Sequence, residues 1–97
     1  MKIKSDESRI DGHWVLRDKQ MVADAACQRI QWLMENYLQK VAIDASGWDC
    51  LYRDPGDGRL WERLYLQSEL QGGGPPSLVC VNKADVREKY NLDGASV

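Results

Sequence analysis

At 97 residues the chain has room for one domain around one hydrophobic core. A hydrophobic fraction of 43% beside 29% charged residues excludes wholesale disorder. The formal charge of -2, with a pI near 5.3 and no basic run, argues against a nucleic-acid backbone as partner.

Residues 1–11 are polar and without sustained periodicity. They are expected to form a flexible N-terminal arm, anchored at most by Ile3 or Ile10. A strand is predicted over 13–17, where Trp14 and Leu16 alternate with His13, Val15 and Arg17. Asp18-Lys19-Gln20 reads as a turn, and Met21-Val22 either returns as a short strand or leads into a helix.

That helix is predicted over 25–39, with Asp24 as its N-cap. Ala26, Ile30, Leu33, Met34, Tyr37, Leu38 and Val41 recur at the spacings of one buried face, opposite Gln28, Gln31, Glu35, Asn36 and Gln39. Trp32 falls on the polar side. It is either covered by a terminal segment or is an anchor for a partner, since Trp is enriched among interface hot spots.

A strand over 40–45 comes next, then a break at Ser46-Gly47. The stretch GWDCLYRDPGDGRLWERLY, residues 47–65, reads as a β-hairpin. Its arms are 48–53 and 59–66, joined by Asp54-Pro55-Gly56-Asp57-Gly58, whose Pro and Gly suit turn positions. Two registers are open. With Asp54 facing Arg59, one face carries Trp48, Cys50, Tyr52, Trp61, Arg63 and Tyr65, and the other Leu51, Leu60 and Leu64. A bulge at Gly58 would instead leave Arg53, Trp61, Arg63 and Tyr65 together on the outside, and this sorts apolar from charged residues more cleanly.

Gly72-Gly73-Gly74-Pro75-Pro76 is a loop, 78–81 a short buried strand, and Asn82 the cap of a last helix over 83–90. Residues 91–97 read as a flexible tail. The fold expected is α+β: an antiparallel sheet of about four strands, one long helix on one face, and a short C-terminal helix. Residues 12–90 form its single domain.

No catalytic constellation is visible. His13 has no partner spaced to orient it as a base. Cys27, Cys50 and Cys80 are odd in number and widely separated, which suits buried reduced thiols rather than a disulfide framework or a zinc site. The Asp54 to Glu62 stretch lacks the alternating ligands of a calcium loop. The triple glycine lacks the Lys-Ser/Thr ending of a P-loop. No enzymatic role, cofactor or metal is expected. No run approaches the ~20 apolar residues of a membrane span and the N-terminus has no apolar leader core, so the expected location is cytoplasmic.

The order of short motifs is more telling. Asp11-Gly12-His13-Trp14, Val22-Ala23-Asp24, Cys27-Gln28-Arg29-Ile30, Trp32-Leu33 and Gly47-Trp48 come first. Leu51-Tyr52-Arg53-Asp54-Pro55, Asp57-Gly58-Arg59, Trp61-Glu62, Tyr65 and the Gly72–Pro76 loop follow. Over about 11–82 this succession resembles the immunity protein 27 family of bacterial polymorphic toxin systems, with Leu66 where a proline is expected. The resemblance implies a small bacterial cytosolic protein that binds and neutralises a cognate toxin domain, commonly a nuclease or another enzyme acting in the cytosol, by stoichiometric inhibition. A nucleic-acid- or nucleotide-binding module and a structural subunit of an oligomer are the competing readings. The partner-binding candidates are Arg53, Asp54, Asp57, Arg59, Trp61, Arg63 and Tyr65 of the hairpin, with Trp32 as a separate anchor.

Overall fold

The chain folds around a five-stranded antiparallel sheet with β1 (Arg9–Asp11) and β4 (Gln39–Ile43) at its edges. Between them lie β7 (Ser77–Val81), β6 (Leu60–Leu64) and β5 (Cys50–Arg53), in the order β1-β7-β6-β5-β4. The structure, a computed structural model, describes residues 3–65 and 74–92. A separate two-stranded sheet pairs β2 (Trp14–Arg17) with β3 (Gln20–Ala23). The helices are α1 (Ala25–Asn36) and the short α2 (Lys83–Val86).

The α+β class is as expected, but the strand count is higher than about four. The largest departure is at the N-terminus. Residues expected as a flexible arm contribute β1, which pairs with β7 through Arg9↔Val79, Ile10↔Leu78 and Asp11↔Ser77. Ile10 is buried in the core. The arm is also held by polar contacts that sequence periodicity cannot register. The Arg29 guanidinium donates to both Glu7 carboxylate oxygens, at 2.8 and 2.7 Å. Arg59 donates to the carbonyls of Glu7 and Lys4, at 2.5 and 3.0 Å.

Helix α1 starts where its cap predicts: the Asp24 carboxylate accepts from the Cys27 N–H at 2.8 Å. Its buried stripe includes Cys27, Ile30 and Leu33, packed with Ile10, Cys50, Tyr52, Trp61 and Leu78 of the sheet. The helix ends at Asn36 rather than Gln39, because Tyr37 leaves helical geometry and Gln39 is already paired with Arg53 in β4. Leu38 thus reaches the same core from a connection rather than from a helix face.

The hairpin register is settled at the turn. The Asp54 N–H donates to the Arg59 carbonyl at 2.8 Å, and Arg53↔Leu60, Tyr52↔Trp61 and Cys50↔Arg63 follow without a bulge. The bulged alternative at Gly58 is therefore wrong. Gly58 takes φ +79, but inside a closed turn. The unbulged register puts Cys50, Tyr52 and Trp61 under α1 and Leu51 and Leu60 on the opposite face. That second face is covered by Val86, Tyr90 and Leu92. The acid that this register places among apolar residues is paired. Glu62, on the second face, accepts from Lys89 Nζ at 2.6 Å and from the Tyr90 hydroxyl at 2.8 Å.

In the smaller sheet, Asp18 and Lys19 form a two-residue loop with φ of 50° and 66°. Positive φ at both central positions is the I′ geometry that matches strand twist. Close packing fixes the entry to this sheet, since a Cβ on buried Gly12 would lie 2.4 Å from Cys27 Sγ and 2.7 Å from the Pro76 carbonyl. Asn82 occupies the N-cap position of α2 with no side-chain cap bond, and the helix stops at Val86, well short of Tyr90. Leu66 to Gly73 and the residues after Leu92 lie outside the described residues, so the expected strand end, the first two glycines of the loop and most of the expected tail fall there.

Candidate functional site

The hairpin turn is built inward. Asp54 is 1% exposed, and its Oδ1 accepts from the Tyr37 hydroxyl at 2.6 Å and from the Gly56 N–H at 2.7 Å. That is the work of a turn residue, and its side chain is not presented to solvent. Asp57 lies at the outer corner, accepting from the Arg59 N–H at 3.0 Å and from Arg59 Nε at 2.7 Å. The Arg59 hydrogen bonds lower the Asp57 pKa. Arg59 in turn lies 5.0 Å over the Trp61 ring and clamps the N-terminal segment. Arg53, on the second face, donates to the Gln39 amide oxygen at 2.7 Å.

Trp61 is 0% exposed. The expectation that it stands on an open face is corrected, because the unbulged register turns it beneath α1. Trp32 is exposed, at the far side of the helix from the sheet. The residues named from sequence therefore do not form one surface. Arg63 and Tyr65 remain, and the structure gives them a companion that the hairpin reading had placed within a strand.

That companion is Trp48, 65% exposed. It sits in the β4–β5 connection, which is shaped by Asp44. The Asp44 Oδ1 accepts from Ser46 Oγ at 2.7 Å, from the Gly47 N–H at 3.1 Å and from the Asp49 N–H at 3.2 Å. The Ser46 hydrogen bond is the main cause of its lowered pKa. Gly47 at φ +80 completes the bend. The Trp48 and Tyr65 rings meet in a T-shaped contact at a centroid distance of 6.1 Å and an interplanar angle of 86°. The Arg63 guanidinium lies 4.7 Å over Tyr65, and its Nη2 donates to the Trp48 carbonyl at 2.7 Å. An Asp-x-Ser-Gly sequence before Trp48 is the turn signal that separates this residue from the strand.

Trp48 and Tyr65 form one wall of a groove whose other walls are α1, through Gln31, Met34 and Glu35, and the β2–β3 hairpin, through Trp14. The Trp14↔Ala23 face of that hairpin continues outward to Leu16↔Met21, a directly opposed pair 71% and 61% exposed. Apolar side chains this accessible on a short hairpin mark an interaction surface more readily than a core.

One cluster brings together residues far apart in sequence. His13 Nδ1 lies 3.5 Å from Asp24 Oδ2, and Cys27 is adjacent. Its geometry is not that of a nucleophile and base, since the Cys27 thiol points at the His13 carbonyl at 3.5 Å rather than at its imidazole. Burial, then the Asp24 carboxylate, push the thiol pKa up, away from the reactive thiolate. All three cysteines are free thiols, and among the described residues no group of three or more His, Cys, Asp or Glu is disposed to hold a metal.

The sequence model of the immunity protein 27 family matches residues 16–82. The chain belongs to the immunity protein 27 family. No curated protein and no solved structure matches it. In this immunity protein 27 member the matched stretch runs from Leu16, within β2, through β7, and includes Trp48, Arg63 and Tyr65. Both β1 and α2 lie outside it. Among the described residues no helix is long and apolar enough to cross a membrane.

Proposed function

We propose that this protein is the cytoplasmic immunity partner of a bacterial polymorphic toxin, and that it acts by stoichiometric binding rather than by catalysis. The observation that carries the reading is the accessible Trp48, locked against Tyr65 and Arg63 in a groove shared with Trp14, whose hairpin continues outward to the exposed Leu16–Met21 pair. Trp, Tyr and Arg are the residue types most enriched at interface hot spots, and here they are interlocked before any partner arrives. A rigid cluster loses little side-chain entropy on binding, so more of its contact energy is kept. The surrounding groove and hairpin supply the rim that a standard interface of roughly 1,600 Å² requires.

The toxin domain would be held over the Trp48 face, with its substrate excluded by the bulk of the sheet and the β2–β3 hairpin. A nuclease is the toxin class suggested by the family. Of the residues singled out from sequence, Arg63 and Tyr65 carry the contact in this reading. Asp57, Arg53 and Trp32 are accessible but lie on other surfaces.

The test is survival of cells expressing the toxin encoded beside this gene, with the wild-type chain or with Trp48→Ala combined with Met21→Glu. Both altered side chains are largely solvent-exposed, so the double variant should keep the wild-type melting temperature. Protection should nevertheless be lost, together with co-elution of the two proteins. Full protection by a folded double variant would place the interface elsewhere.

A further inference from the structure

The surroundings of Arg63 say more about the partner. Arg9, Arg29 and Arg59 each have a carboxylate oxygen at 2.7–2.8 Å. Arg63 is half-buried like Arg29 and Arg59, yet among the described residues it has no carboxylate partner. Its Nη2 is engaged by the Trp48 carbonyl and, at 3.4 Å, by Cys50 Sγ, while its buried Nε has no acceptor. One face of the guanidinium is covered by the Tyr65 ring. Withdrawing a cation from water without an anion is unfavourable, and an incomplete donor fork adds to that.

The acids closest to Trp48 in sequence do not meet this need. Asp49 is paired with Lys89 Nζ at 2.8 Å. Asp44 is occupied by Ser46 and two backbone N–H groups. Arg53 also lacks a carboxylate, but its guanidinium shares the Gln39 amide and has no aromatic seat beside an exposed tryptophan. The local chemistry at Arg63 is thus half of a partly buried ion pair, set in the aromatic surround that would desolvate it.

We propose that Arg63 receives a carboxylate side chain of the partner protein, an Asp or Glu inserted at the Trp48–Tyr65 edge. This rests on the reading of the Trp48 face as the toxin interface, and gives that interface a charge preference. The partner carboxylate completes the guanidinium fork, and the Trp48 ring closes over the pair and excludes water. A carboxylate is preferred to an apolar plug because only an anion removes the cost of the uncompensated cation. The remaining surroundings do not oppose it, since Gln28 and Gln31 bring neutral amides to the groove and Glu35 stands as the one acid on its helical wall.

The probe is N-acetyl-glutamate methylamide, titrated into isotope-labelled protein while the Arg63 Nε–H and Trp48 indole N–H resonances are followed. Both should move saturably with this probe and stay in place with N-acetyl-glutamine methylamide. Arg63→Gln should abolish the shifts and Arg63→Lys should reduce them. Equal shifts with both probes, or none, would overturn the proposal; so would a response to inorganic phosphate that exceeds the response to the carboxylate, which would indicate a nucleic-acid backbone.

A second arm uses the toxin itself. Arg63→Gln should weaken toxin binding about ten- to a hundredfold, with Arg53→Gln as the silent control. If wild type and Arg63→Gln protect equally, the carboxylate contact is wrong and the immunity reading stands. If the glutamate probe binds Arg63 but the wild-type chain neither binds nor neutralises the toxin, the immunity reading is what fails.

Discussion

The Tyr37 hydroxyl donates to the Asp54 carboxylate at 2.6 Å, and so joins the end of α1 to the turn of the central hairpin. The same Asp54 oxygen accepts from the Gly56 N–H, and a Cβ on Gly56 would lie 2.6 Å from the Tyr37 hydroxyl oxygen. Turn, glycine and tyrosine therefore form one close-packed unit. The Asp54 hydrogen bond also raises the Tyr37 pKa, as expected for a hydroxyl held against a carboxylate.

Tyr37→Phe should destabilise the fold by about 1–3 kcal/mol, because it leaves a buried carboxylate with one donor fewer. Gly56→Ala should act on the same unit by steric displacement, so the double variant should fall short of the sum of the two singles. Urea unfolding of the three variants measures both the cost and the shortfall.

Trp61→Ala tests the register. A tryptophan with no exposure, packed under Ile30 and Leu33, should cost about 3–5 kcal/mol when truncated. Loss of protection by this variant would then accompany a large fall in melting temperature. In Trp48→Ala the two effects should separate, with protection lost and the melting temperature kept. A Trp61→Ala protein as stable as wild type would mean that the ring lies outside the core.

How far these roles were legible follows from the kind of signal each residue carries. The Asp24 cap, the Ile30–Leu33 stripe and the Pro55-Gly56 turn are local, and the sequence reading finds them. The hairpin register is not local. Both alignments put Trp61, Arg63 and Tyr65 on one face, and the choice between them depends on what covers each face. The separation of apolar from charged residues favours the bulge, and it misleads because what satisfies each face is distant in sequence: Glu62 is paired by Lys89 and Tyr90, 27 and 28 residues away. The N-terminal strand was invisible for the same reason, since its anchors are Arg29, Arg59 and the edge of β7. Trp48 reads as strand because the turn that exposes it is set by Asp44 hydrogen bonds that alternation does not register.

The Glu7–Arg29 pair should make that N-terminal anchor sensitive to acid. The Arg29 hydrogen bonds, followed by the Lys4 N–H, bring the Glu7 pKa from its ordinary 4.5 down to about 2. A carboxylate depressed by folding stabilises the native state fully above its unfolded value. That contribution is lost as pH falls through the folded one. Glu7→Gln should therefore be less stable than wild type by about 1–3 kcal/mol at neutral pH. The difference should shrink between pH 4.5 and about 2. Thermal melts of both proteins across that window check it, and a difference that persists unchanged at pH 2 would refute the assignment.

Lys89 should matter out of proportion to its exposed position. Burial opposes its charge, but the hydrogen bonds to Asp49 and Glu62 outweigh that and leave its pKa raised. Its ammonium is shared between Asp49, next to Trp48, and the buried Glu62, so it links the covering C-terminal segment to the loop that carries the tryptophan. Lys89→Met leaves the Glu62 carboxylate with the Tyr90 hydroxyl as its described partner, and should cost about 3–5 kcal/mol. Adding Glu62→Gln removes the stranded charge, so the double variant should regain part of that loss. A double-mutant cycle by chemical unfolding measures the coupling. The Trp48 indole N–H resonance reads the second consequence: in Lys89→Met, Asp49 loses its cation, and that resonance should shift while the protein is still folded. If Lys89→Met changes neither stability nor that resonance, the link between the C-terminal segment and the Trp48 loop is absent.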